Sequence, residues 1–218
     1  MKKTRILVVD DHQIVRRGVV GAIQDAQPDW EICAEAATGR DAVSSAVRLK
    51  PDIVVMDISM PDMNGLEATR QILKDNPQTE VLILSMHESE QIVRDVLSSG
   101  ARGYVLKADA GTDLITAIKA LREHKLFFTS RVSELVLRGY LTGSQLEKSD
   151  PSGGQLSPRE REIVQLIAEG RSNKDVANLL HISVKTVETH RARIMDKLDL
   201  HSVSDLVRYA IRNNLVEC

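Results

Sequence analysis

"DIVVMDISMPDMNG" spans residues 52–65, and its reading decides the fold. Ile53 to Met56 form an unbroken apolar run, as expected of a strand covered on both faces of a parallel sheet. The run ends in a carboxylate, Asp57, and Pro61 and Gly65 then mark a loop. In open parallel sheets ligands sit beyond the carboxyl ends of the strands, so an acid delivered there is placed for chemistry. Four more runs of this kind surround it: RILVVD (5–10), EICAEA (31–36), EVLILS (80–85) and GYVLK (103–107). Between them apolar residues recur at helical spacing, as in Ile14, Val15, Val19 and Ile23, and in Leu66, Ile72 and Leu73. Strands alternating with helices predict a doubly wound α/β domain with a five-stranded parallel sheet over residues 1–123.

At 218 residues the chain is long enough for two domains with real cores. No apolar run reaches the roughly 18 residues of a membrane span, so no membrane insertion is expected. A double acid interrupts the N-terminal MKKTRILVVDDH and no small-residue cleavage site follows, so a signal peptide is not expected. Cys33 and Cys218 have no metal or redox spacing, which points to a reduced, cytoplasmic protein. Residues 151–218 carry 10 Lys and Arg against 9 Asp and Glu, a net of +1, and residues 1–150 carry 19 against 22, a net of −3. Neither half is basic enough to announce nucleic acid by charge alone, so a DNA reading must rest on pattern.

TSRVSELVLRGYL (129–141) reads as one more helix, and the polar TGSQLEKSDPSGGQ (142–155) as an interdomain linker. Residues 124–155 are thus expected to be a helix plus a flexible linker, and 156–218 a second, all-α domain of four helices. Ser157, Pro158 and Glu160 fit a capping box. Ser172 with Asp175, and Ser202 with Asp205, repeat the Ser-x-x-acid form, and Ser183 caps a helix over 184–198. Gly170 marks a helix end.

On the first domain the strand ends carry Asp10, Asp11, Asp57, Ser85 and Lys107. A lone acid at a strand end ordinarily caps the next helix, and Asp11 is placed to do that for HQIVRRGV. Five polar groups on four strand ends fit that role poorly. Three carboxylates on one rim repel unless a cation joins them, and an oxygen-only set suits Mg²⁺. Lys107 adds a point charge for a phosphate and Ser85 a donor. The set describes a phosphoryl acceptor with Asp57 as nucleophile.

VVDDH, MDISMPDMNGLEA, ILS and GYVLK, in that order and spacing, resemble the receiver domain of two-component response regulators. The resemblance runs over about residues 4–123. It implies a flavodoxin-like fold and phosphotransfer from a sensor histidine kinase to Asp57. It also implies Mg²⁺ held by Asp11, Asp57 and the Ser59 carbonyl, with Asp10 acting through water. Ser85 and Tyr104 would form the switch pair. Where many receivers have a cis proline after the lysine, this chain has Ala108. A haloacid dehalogenase-type phosphatase is the rival, but it requires Asp-x-Asp on the first strand, which is absent.

KDVANLL, HIS and VKTVETHRARIMDKL have the short-helix, tight-turn, long-helix form of a helix-turn-helix. Val187, Ile194 and Leu198 mark the inner side of the long helix. Lys185, Thr189, Ala192 and Asp196 lie on the opposite side, with Thr186 and Glu188 close by, and form a surface that fits a major groove. Arg191, Arg193 and Lys197 flank it for phosphates. His190 steps toward the packed side and reads as structural. The alternative is a plain helical module with solvated charged faces. Leu156 to Ser202 resembles the LuxR-type helix-turn-helix, and with the receiver it marks the NarL/FixJ class. The class implies transcriptional control, double-stranded DNA and RNA polymerase as partners, and a homodimer. The last helix would pair through Val203, Leu206, Val207 and Ala210.

Overall fold

The computed structural model describes residues 3–86, 89–134, 156–213 and 215–216. The chain divides into two compact units, residues 1–145 and 146–218. The expected linker at 142–155 lies outside the described residues. Of the helix expected at 129–141, residues 130–134 are described and helical.

In the first unit the strands are β1 (Arg5–Val9), β2 (Glu31–Ala36), β3 (Ile53–Asp57), β4 (Glu80–Ser85), β5 (Gly103–Leu106) and β6 (Phe127–Phe128). The helices are α1 (Gln13–Ala26), α2 (Gly39–Leu49), α3 (Gly65–Asp75), α4 (Glu90–Ser99) and α5 (Ala110–Arg122). All pairings are parallel, in the order β2-β1-β3-β4-β5-β6. Successive strand residues alternate between two cores. Ile6, Val8, Ile53 and Val55 pack with Val19, Ile23, Leu114 and Ile118 of α1 and α5. Leu7, Val9, Val54 and Met56 pack with residues of α2, α3 and α4 such as Ala42, Ile72 and Val96. Both faces are therefore covered, which is why the strands read as continuous apolar runs.

Two expectations are corrected. The sheet has six strands, not five, because Phe127 and Phe128 pair with Gly103 and Tyr104. Two residues are too few to show a strand period, and only the exposed edge of β5 recruits them. Ile14 is 87% exposed and does not belong to the inner face of α1. That face follows the four-residue step Val15, Val19, Ile23, from which Ile14 is offset.

The second unit has α6 (Pro158–Ala168), α7 (Asn173–Leu180), α8 (Val184–Lys197) and α9 (Val203–Arg212). Each expected cap forms. Ser157 Oγ accepts from the Glu160 backbone N–H at 3.2 Å while Glu160 accepts from Ser157 N–H at 2.7 Å. Ser172 and Asp175 make the same reciprocal pair. Ser183 and Ser202 accept from Thr186 and Asp205 N–H groups. His181, with φ of 52°, stops α7, and α8 starts three residues later. Leu156, Ile163, Leu166, Val176, Val187, Ile194 and Leu206 close the core.

Gly65 sits where β3 hands over to α3. A Cβ there would lie 1.8 Å from the Asp57 carbonyl oxygen, a contact that backbone must yield to. Gly18 on α1 has nothing within 4 Å of its absent Cβ. Gly65→Ala is expected to lower the stability of the first unit by about 3 kcal/mol, the upper end for overpacking. Gly18→Ala is expected to raise it by about 0.5–1 kcal/mol through helix propensity. Urea unfolding followed on the transition of the first unit checks both signs.

Candidate functional site

The sheet grows from β1 to β2 on one side and then to β3 on the other. That reversal opens a crevice at the carboxyl ends of β1 and β3. Asp10 and Asp11 follow β1, and Asp57 ends β3. Ser85 ends β4, and Lys107 begins the 3₁₀ turn Lys107–Asp109 after β5. Sequence-distant groups thus meet through strand register alone: Val9 pairs with Met56, Asp57 with Leu84, and Ser85 with Leu106. The turn at Ala108 needs no cis bond, and the described residues contain none.

Lys107 Nζ lies 2.8 Å from Asp10 Oδ2 and 2.9 Å from Asp57 Oδ2. Both side chains are 3% exposed, yet neither Oδ2 is met by an aligned hydrogen bond. The lysine bridges the two carboxylates. Asp11 is more open, at 28%. It does not cap α1: the N-cap residue is His12, which makes no side-chain cap bond. Ligand atoms from Asp10, Asp11, His12 and Asp57 all lie within 4.8 Å of one another. Three carboxylates against one ammonium leave a negative pocket of hard oxygen donors, which fits a divalent cation.

Burial pushes the Asp57 carboxyl from 3.8 up to about 6. Lys107 and the Ser59 backbone pull against that rise, and the charge of Asp10 adds to it. Burial by itself lowers Lys107, but attraction to Asp10 and Asp57 outweighs it and raises the ammonium. Ser85 is 2% exposed and Tyr104 is fully buried. Tyr104 packs in the core with Met56, Ile83 and Val96, so its ring occupies the inward position.

Sequence reading passed over two neighbours of the pocket. The His12 backbone N–H donates to Asp10 Oδ1 at 2.8 Å, and its ring nitrogen lies 2.8 Å from Asp11 Oδ1. Arg16 donates to the Asp10 carbonyl at 2.7 Å. The signal for His12 was its place directly after the acid pair. Arg16 carried none, because only the turn into α1 brings it back.

On α8 the inner and outer sides fall as expected. Val187 and Ile194 are buried, and Lys185, Glu188, Thr189, Ala192, Arg193 and Asp196 are exposed. Thr186 and His190 are half-buried, and His190 belongs to no candidate metal cluster among the described residues. Lys197 is engaged inside the domain, 3.0 Å from Glu160 Oε2. Arg191 turns to one flank, toward a groove shared with Asn173 and Val203. The apolar stripe expected on α9 is also corrected. Leu206 and Ala210 are 1% and 0% exposed and belong to the domain's own core. The outward stripe steps by four through Val203, Val207 and Ile211, because α9 is apolar on two sectors and the one carrying Leu206 and Ala210 packs into the domain's core.

The Asp57 shift gives a pH prediction. The folded value lies above the unfolded one, so this group favours folding below about 3.8 and loses that contribution as pH rises through about 6. Asp57→Asn is therefore expected to stabilise the metal-free protein by about 2–3 kcal/mol near neutral pH. The gain should vanish at the acid end. Unfolding of both proteins in chelator across this range is the measurement.

Residues 6–119 match the family model of the response regulator receiver domain. Residues 154–210 match the model of bacterial regulatory proteins of the luxR family. The chain is 38% identical over 217 residues to the oxygen regulatory protein NreC of Staphylococcus epidermidis, covering 98% of this chain and 99% of that protein. NreC of Staphylococcus haemolyticus is 40% identical over 219 residues at the same coverage. Among solved structures, RcsB from Salmonella enterica serovar Typhimurium, bound to promoter rprA in the presence of the phosphomimetic BeF3-, aligns with a TM-score of 0.61 and 26% identity over 95% of this chain and 98% of that one. An acid-lined switch-point crevice in the first unit and a helix-turn-helix in the second agree with those matches, and the chain belongs to the NarL/FixJ class of response regulators, which join a receiver domain to a LuxR-type DNA-binding domain.

Proposed function

We propose that Asp57 is the phosphoacceptor through which a sensor histidine kinase controls DNA binding by this chain. The observation that carries the reading is Lys107, paired at once with Asp10 and Asp57 over two buried oxygens that lack aligned hydrogen bonds. An Asp57 oxygen attacks the phosphorus of a phosphohistidine on the kinase. The P–N bond breaks, its electron pair stays on the imidazole, and an acyl phosphate forms on Asp57. Lys107 pairs with the arriving phosphoryl oxygens. Asp11, Asp57 and the Ser59 carbonyl would hold Mg²⁺, with Asp10 in support. Bound there, the ion would supply charge neutralisation for the phosphoryl transfer.

The phosphoryl group adds about −1.5 to −2 charge to a closed pocket. It can act at a distance only by biasing an element with two arrangements. Ser85, buried at the end of β4, supplies the hydroxyl that turns to it, and the inward position of Tyr104 is the arrangement that the turn stabilises. The output is a homodimer on double-stranded DNA in the cytoplasm, in contact with RNA polymerase. On α8, Lys185, Glu188, Thr189 and Ala192 face the bases, and Arg191 and Arg193 the phosphates. Val203, Val207 and Ile211 form the pairing stripe of the DNA-binding domain.

Incubation with acetyl phosphate and Mg²⁺ should add one phosphoryl group, read by intact-protein mass spectrometry. Asp57→Asn and omission of the metal should each abolish it. Equal labelling of Asp57→Asn would sink the assignment. DNA affinity at one fixed salt should rise on labelling by about 1–3 kcal/mol, and Ser85→Ala should shrink that gain.

The pairing stripe has its own test. Ile211→Asp should leave the domain folded, since this side chain is 36% exposed, and should weaken dimeric DNA binding at least tenfold, or about 1.4 kcal/mol. Leu206→Asp should unfold the domain instead. Sedimentation and circular dichroism on the two variants separate these outcomes.

A further inference from the structure

The chemistry of the exposed face of α8 is uneven, and that unevenness predicts a base. Four side chains stand together there. Lys185 offers donors only and Ala192 a methyl group. Thr189 donates its hydroxyl to the Lys185 carbonyl at 2.9 Å, so it presents a methyl group and an oxygen that can only accept. Glu188 is exposed, offers acceptors only, and makes no hydrogen bond or ion pair with any described residue.

A free carboxylate is an awkward group to bring to DNA. Phosphates repel it, and most base edges in the major groove present acceptors: N7 and O6 of guanine, N7 of adenine, O4 of thymine. Only two donors exist there, the N4 amino group of cytosine and the N6 amino group of adenine. Adenine sets its N7 lone pair beside N6, where it opposes a second carboxylate oxygen. Cytosine sets a C–H beside N4. The carboxylate is therefore best matched by cytosine.

Resting on the DNA-reading role of α8, we propose that Glu188 is a specificity-determining residue that accepts a hydrogen bond from the N4 amino group of a cytosine in each half-site. The base next to it meets the methyl groups of Thr189 and Ala192, which favours thymine. The same carboxylate disfavours non-specific DNA, because it returns no attraction where no amino group faces it.

The test is selection of bound sequences from a random duplex library by the full-length protein, with and without acetyl phosphate, for wild type, Glu188→Gln and Glu188→Ala. Wild type should enrich a C·G pair at one position of each half-site, with at least fivefold discrimination there in competition binding. Glu188→Gln, which adds an amide donor beside its acceptor and so matches both N6 and N7, should move that position to adenine. Glu188→Ala should flatten it and leave the other positions unchanged. Enriched sites that are the same for all three proteins would overturn the inference while leaving sequence-specific DNA binding intact. Failure of the wild type to enrich any sequence would overturn the DNA-reading role itself, and this inference with it. Circular dichroism of the variants should match wild type, since the side chain is exposed and unpartnered.

Discussion

The ammonium of Lys107 between Asp10 and Asp57 is the contact on which the receiver depends. Two carboxylates buried to 3% exposure cannot stay ionised side by side without a cation, and the cost of leaving either unpaired in that pocket is several kcal/mol. Lys107 meets both at ion-pair distance, yet it leaves each with an oxygen short of aligned hydrogen bonds. The rise of Asp57 to about 6 expresses the same tension, with burial the largest contribution.

Everything that positions this contact is backbone. Parallel register sets Val9 against Met56 and Ser85 against Leu106, which brings four strand ends to one rim. The 3₁₀ turn Lys107–Asp109 after β5 places Lys107 over them. Gly65 lets α3 start against the Asp57 carbonyl, and Asn64 caps that helix by accepting from Glu67 N–H at 2.9 Å. Asp57 is therefore held from behind by the helix that follows its own loop.

The DNA-binding unit solves a different problem. Its helices are short, and short helices are marginal without tertiary packing and caps. Four serine caps and one shared apolar core set their boundaries. The Lys197–Glu160 pair ties the far end of α8 to the start of α6. The exposed face of α8 is then the part of that helix that the domain's core does not use.

The fold class, both units, the acid set, Lys107 and the four serine caps of the second unit were legible in the sequence, because continuous apolar strands, strand-end polar residues and serine helix starts are local patterns with local causes; the Ser89 cap of α4 was not read. The outward face of α8 was legible too, since a helix period fixes which residues share a side. Tertiary structure decided the rest. Phe127 and Phe128 became a strand only because β5 had a free edge. Leu206 and Ala210 went inward and Ile211 outward, since a helix with two apolar sectors cannot say which one its neighbours will cover. Ile14 faces solvent for the same reason on α1. Thr189 donates a hydrogen bond to the Lys185 carbonyl one turn back in its own helix, a local bond, whereas the pairing of Lys197 with Glu160 is made by the packing of α8 near α6.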